Sequence, residues 1–181
     1  GRGRAYTLGP DRVLVIDTVS NTVVGAIAIG DFVTNLAISP DGSRLYVTKM
    51  FNDLVSVIDT TTDAVVSGIG VGRRPDDLVV SGDGTRIYVG SDTVDVIDAE
   101  RLGPIAAVTI PASSNGIPDQ PGGVAVTPDG VAIFATNPFS DSVSVIDPAS
   151  NTIVALVPVG DAPGRIEVSP DGTRVYVLNT V

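Results

Sequence analysis

Apolar and polar residues alternate in short runs along the whole chain. In order come "NLAIS" (35–39), "RLYVT" (44–48), "LVSVID" (54–59) and "AVVSGIGVG" (64–72), each rich in Val and Ile and each bounded by Gly, Pro, Asp or Asn. A period of two with turn residues between runs predicts β-strands. No stretch carries a helical period with caps.

The pattern returns. "SPDGSRLYVT" (39–48) is rewritten as "SGDGTRIYVG" (81–90), "TPDGVAIFAT" (127–136) and "SPDGTRVYVL" (169–178). The turn aspartates stand at 41, 83, 129 and 171, and those closing "VID" at 17, 59, 98 and 147. The unit is about 42 residues, with a shortened connection near Gly90-Ser91 and an insertion from Pro111 to Pro121. Four short antiparallel strands per unit is the period of a β-propeller blade, whose two faces only neighbouring blades can bury. The expected fold is therefore all-β: one repeat domain over 1–181, with repeats at roughly 5–30, 31–72, 73–111 and 120–160 and terminal strands at 161–181.

Turn chemistry explains the repeated letters. Pro presets φ, Asp bonds nearby backbone, and Gly takes a positive φ. After "VID", Asn21, Asp63 and Asn151 suit a left-handed position; Leu102 stands there in the third copy, so a different turn is expected. Tyr46, Tyr88, Phe134 and Tyr176 share one repeat position, with Tyr6 close to it, and are expected to pack between sheets.

Composition narrows the chemistry. With aromatics at 4%, Val, Ile, Leu and Ala must make the core. The net charge of −10 argues against nucleic acid and anionic membrane surfaces, and no apolar run is long enough for a membrane-spanning helix. Nineteen of the 21 acids are Asp, a turn residue, so the acidity is mainly turn chemistry. There is no Cys and no His, which removes thiolate and imidazole catalysis. "GRGR" at the start follows no strand and is not a phosphate loop.

The stretches "DGSRLYVT…DLVSVIDTTTDAVVSGIGVG…DDLVVSGDG" and "SDSVSVIDPASNTIVALVPVGDAPGRIEVSPDGTRVYVLN" resemble the YVTN family of β-propeller repeats over nearly the whole chain. The resemblance implies a propeller, usually of more than four blades, and an extracytoplasmic or cell-surface setting. Related propellers include lactonases, a streptogramin lyase and quinoprotein subunits, so the likeness implies fold more firmly than activity. By analogy with such propellers, the strand before the Pro-Asp-Gly turn is innermost. The chain then holds seventeen strands, beginning and ending on a second strand. The last two can complete a blade with "VLVID" and "TVVGAIAIG", closing a four-bladed ring within one chain or a larger ring in a homodimer.

Ligands of such folds sit over the channel, on the loops leading into the innermost strands. Those positions are Thr34-Asn35, Asp76-Asp77, Gly122-Gly123 and Gly164-Arg165, and they differ chemically between repeats. The candidate ligand-binding residues are Asn35, Arg73, Arg74, Asp76, Asp77, Arg165 and Glu167. Arg165 and Glu167 share a strand face and are expected to pair. Arg73 and Arg74 can hold an anion or neutralise Asp76 and Asp77. Met50, Phe51, Pro138 and Phe139 should lie on loops of the same side. No catalytic motif, metal-ligand spacing or cofactor fingerprint accompanies them. The function expected is a non-catalytic binding or assembly module for a protein or small ligand. The alternative is a propeller enzyme or enzyme subunit of lactonase, lyase or redox-partner type.

Overall fold

The computed structural model describes residues 3–30 and 32–180. Gly1 and Arg2 of "GRGR", Asp31 at the start of the second repeat, and Val181 lie outside the described residues.

The described residues form seventeen strands and no helix, in five antiparallel sheets of two to four strands. The first sheet is β1 (Arg4–Leu8), β2 (Arg12–Asp17) and β3 (Thr22–Ala28). The second is β4 (Val33–Ile38), β5 (Arg44–Lys49), β6 (Leu54–Asp59) and β7 (Ala64–Gly70). The third is β8 (Asp77–Val80), β9 (Arg86–Gly90), β10 (Val94–Asp98) and β11 (Gly103–Val108). The fourth is β12 (Val124–Val126), β13 (Ile133–Asn137), β14 (Ser142–Asp147) and β15 (Thr152–Pro158). The last is the pair β16 (Pro163–Val168) and β17 (Val175–Asn179). Strand order within each sheet follows chain order, and β4, β8, β12 and β16 succeed one another as inner strands. This is a propeller-like succession of blades.

The core lies between blades, in four apolar layers. Val13, Val15 and Ile27 meet Leu45, Val47 and Ile58. Tyr46, Val55 and Val57 meet Ile87, Val89 and Ile97. Tyr88, Val94 and Val96 meet Ile133, Ala135 and Ile146. Val143, Ile166 and Ala125 form the last layer, with Val175 and Val177 against them. In the second and third blades the tyrosine face packs on the next blade, and in the fourth the Phe134 face does. Each fully buried Val or Ile contributes about 1.5–3 kcal/mol, so the layers, rather than any single sheet, hold the fold. Tyr46 and Tyr88 are 1% exposed, as their repeat position predicts, whereas Tyr176 on the last strand is 57% exposed.

A second device joins the blades. Arg44 Nη1 donates to Ala99 O at 2.6 Å, Arg86 Nη1 to Pro148 O at 2.5 Å, and Arg4 Nη1 to Thr60 O at 3.1 Å. Each guanidinium reaches the carbonyl just after "VID" in the next blade. Arg4 also pairs with Asp63 at 2.9 Å.

The turns follow the expected chemistry. Gly42, Gly84, Gly130 and Gly172 all have φ of 72–73°. Asp41 accepts from Ser39 Oγ at 2.5 Å and from the Ser43 N–H at 3.0 Å, and Asp83 and Asp171 repeat the pair. One expectation fails. Leu102 takes φ 54° like Asn21, Asp63 and Asn151, so the third "VID" turn is the same as the others. Asp98 holds it by accepting the Glu100 and Arg101 N–H groups, and the Leu102 side chain packs on the neighbouring core, which offsets the left-handed strain.

The terminal strands do not complete a blade within the chain. β17 pairs only with β16, and β2 pairs with β1, in the register Tyr6↔Val15. The arrangement is an open succession of blades with β1 occupying the edge of β2.

Candidate functional site

The inner strands carry the variable residues to one place. Two of these strands break register where the candidates lie, β4 between Val33 and Leu36 and β16 between Pro163 and Ile166. Irregular strand starts of this kind re-aim side chains. At β4 the break is supported by Thr48, whose hydroxyl accepts the Asn35 N–H at 2.8 Å and lies 3.1 Å from the Asn35 carbonyl. Thr34 in turn donates to Pro75 O at 3.0 Å in the next blade.

Thr34, Asn35, Asp76, Asp77, Gly122, Arg165, Ile166 and Glu167 line one cleft of about 100 Å³ at the head of the inner strands. Five of the seven candidates, Asn35, Asp76, Asp77, Arg165 and Glu167, are thus brought together. They divide into two kinds.

Asn35 and Asp77 are a brace. The Asn35 side-chain amide donates to Asp77 Oδ1, which also accepts the Leu78 N–H at 2.9 Å, while Asp77 Oδ2 accepts the Val124 N–H at 2.9 Å. One carboxylate therefore ties β4, β8 and β12. Burial pushes its pKa up, opposed by these hydrogen bonds, and the Asp76 charge adds to the rise. The Asn35 side-chain oxygen, Oδ1, is satisfied too, accepting the Leu36 N–H at 2.7 Å. These two side chains build the mouth rather than offer themselves to a ligand.

Asp76, Arg165 and Glu167 are exposed, and none of their side chains makes a hydrogen bond to the described residues. The expected Arg165–Glu167 pair is not formed. Arg165 sits in the register break of β16, and its charge acts on Asp76, whose pKa is raised by desolvation and lowered again by the charges of Arg165 and then Arg74. The mouth thus presents one free guanidinium among free carboxylates.

Arg73 and Arg74 do not line the cleft. Their backbone N–H groups donate to Asp92 and Asp53 at 2.7 and 2.8 Å, which fixes the loop above β8. Arg74, at φ 55°, reaches Asp76 only through its field. The inserted loop is ordered by Asp119, a residue sequence reading did not single out. Asp119 is 1% exposed and accepts the Phe139 N–H at 2.8 Å and the Ser140 hydroxyl. Its signal was the break in period, which marks the loop but not which side chain anchors it. Phe51 is exposed on the loop expected, its ring tilted 59° against that of Phe32 with centroids 4.9 Å apart.

No protein-family model matches the chain, and no curated protein matches it. Among solved structures, the chain is similar to a chain of Kuenenia stuttgartiensis hydrazine synthase, with 26% identity and a TM-score of 0.81. The match covers 95% of this chain and 54% of that one, so the chain spans about half the length of the structure it matches. No helix of the described residues is long and apolar enough to cross a membrane.

Proposed function

We propose that the chain is a non-catalytic β-propeller module of YVTN type that binds an acidic or carbonyl-bearing ligand, free or on a protein, at its channel mouth. The observation that carries this reading is the division of labour at the mouth. Asn35 and Asp77 are consumed in bracing three blades, while Arg165, Asp76 and Glu167 stay unbonded in the same cleft. A guanidinium is a fork of donors suited to a carboxylate or carbonyl, and the carboxylates beside it suit an amino group on the same ligand. The sequence offers neither His nor Cys for acid–base or nucleophilic work. The repeat likeness supports an extracytoplasmic or cell-surface setting.

A second reading, a subunit of an enzyme assembly, is favoured by the similarity to a hydrazine synthase chain. A cofactor or metal recovered with the purified chain would favour it.

The test uses calorimetry with glutamate, succinate and acetate as probes, on the native chain and on Arg165→Ala. Saturable binding lost in the variant, with an unchanged thermal midpoint, is the expected result. A midpoint that drops, with binding unaltered, would make Arg165 structural and overturn the reading.

A further inference from the structure

We propose that Phe32, Phe51, Arg73 and Arg74 form a docking surface on the rim of the mouth, for a short acidic peptide segment that carries an apolar side chain. Phenylalanine is scarce in this chain. There are four, and three of them, Phe32, Phe51 and Phe139, are 61%, 63% and 55% exposed. Only Phe134 packs in a layer between blades. Local structure does not account for Phe32 either. It stands at φ 29°, and Arg74 and Ala162 hold the same place in the loops entering β8 and β16, at φ 55° and 46°. Gly or Asn takes such a backbone most readily and a bulky residue least. An aromatic side chain kept there, without burial, points to a contact outside the chain.

Three loops make this surface continuous. They join β3 to β4, β5 to β6 and β7 to β8. The Met50 N–H donates to Phe32 O at 3.2 Å, and the Phe32 and Phe51 rings meet with centroids 4.9 Å apart. Asp53, two residues after Phe51, accepts the Arg74 N–H at 2.8 Å, and Asp92 accepts the Arg73 N–H at 2.7 Å. The aromatic pair and the two arginines therefore stand on neighbouring, hydrogen-bonded loops. Thr34 and Asp76 line the cleft and follow Phe32 and Arg74 by two residues each, a reach of about 7 Å at most along the chain. The rim thus adjoins the mouth without entering it.

Charge names the occupant. Arg4, Arg12, Arg44, Arg86 and Arg101 each spend their guanidinium on a carbonyl or a carboxylate. Arg73 and Arg74 are exposed, and neither guanidinium makes a hydrogen bond or ion pair among the described residues. Two adjacent free guanidiniums, in a chain of net charge −10, suit carboxylates, and the aromatic pair beside them suits an apolar side chain. A short acidic peptide offers both groups at that spacing. The same net charge disfavours an anionic bilayer. The surface goes beyond the mouth reading and requires nothing bound at Arg165.

The test titrates the full chain with the capped peptide acetyl-Asp-Glu-Phe-Glu-Asp-amide, read by calorimetry. Two variants remove one half of the surface each. Phe32→Asn with Phe51→Ala keeps a residue suited to the left-handed turn, and Arg73→Gln with Arg74→Gln keeps the backbone donors that Asp92 and Asp53 hold. Saturable binding that weakens as salt rises is expected for the native chain, with binding about tenfold weaker in either variant and thermal midpoints unchanged. The peptide with Gly in place of Phe should bind about tenfold more weakly as well. Excess glutamate, the probe of the mouth, should leave the peptide in place. If glutamate does not bind at all, the mouth reading fails and this test is unaffected. No saturable peptide binding, equal binding of the Gly peptide, or displacement by glutamate would each overturn the proposal. So would flotation with phosphatidylserine vesicles that both variants abolish, which would make the rim a lipid-binding face.

Discussion

Asp77 Oδ2 accepts the backbone N–H of Val124 at 2.9 Å, across the boundary between the third and fourth sheets. A side chain that sequence reading placed among ligand contacts is in fact the tie between inner strands. Asp77→Ala strands the Val124 N–H and the Asn35 amide without an acceptor, at about 1–3 kcal/mol for each donor left buried. The expected outcome is a fall in denaturant midpoint with little change in m-value, read by chemical unfolding. An unaltered midpoint would show that the brace bears no weight.

Tyr88→Ala removes a side chain 1% exposed from the layer with Val94, Ile133 and Ile146. A loss of roughly 3–5 kcal/mol is expected, from transfer and cavity together. A loss well below about 1 kcal/mol would place the ring outside the core.

Arg86→Ala breaks the 2.5 Å bond to Pro148 O while leaving the layer intact. A charged donor to a carbonyl is worth about 1.5–3 kcal/mol when shielded, so a smaller loss than for Tyr88→Ala is expected. Hydrogen exchange at the Ala149 and Ser150 amides should quicken, and unchanged exchange would count against the inter-blade role.

The acidity has a signed consequence. Asp41 and Asp171 are held at about 2 by Ser39 and Ser169 hydroxyls and by turn N–H groups, below the ordinary 3.8. Asp59, Asp83, Asp98, Asp129 and Asp147 are lowered by similar bonds. Between about 2 and 3.8 the unfolded chain binds more protons at these sites, so their contribution is full above 3.8 and is lost as pH falls. Burial raises Asp76, Asp77 and Asp95, which act oppositely and favour the folded state as pH falls through their shifted values. Those three act above 3.8, so from pH 4 to pH 2 the lowered set governs and thermal midpoints should drop. A midpoint that holds or rises over that interval would mean the turn bonds do not stabilise the folded chain.

The fold was legible because its signals are local and repeated. "PDG" sets a turn, alternation sets a strand, and the recurrence of both fixes strand number and order. The register of the inner strands recurs with the letters: Ala37, Val79, Ala125 and Glu167 lie opposite Tyr46, Tyr88, Phe134 and Tyr176. Leu102 was misread because its own propensity opposes φ 54°, whereas Asp98 and the packing of its side chain decide the turn. The site was legible as a location but not in its roles. Which carboxylate braces and which stays free depends on the neighbours that β4 and β12 bring to Asp77, residues 42 and 47 positions away in sequence. The Arg165–Glu167 pairing failed for a similar reason: Arg165 sits in the break of β16, and its charge acts on Asp76, just before β8.

The most direct measurement is a map of where a ligand lands. Amide chemical shifts of the native chain are followed while glutamate, succinate or acetate is titrated in. The account expects saturable shifts confined to Asn35, Asp76, Gly122, Gly123, Gly164 and Arg165, around the cleft those strands form. Saturable shifts confined instead to the grooves around Arg44 and Arg86 at the "VID" turns, or none with any probe, would contradict a binding mouth at the head of the inner strands.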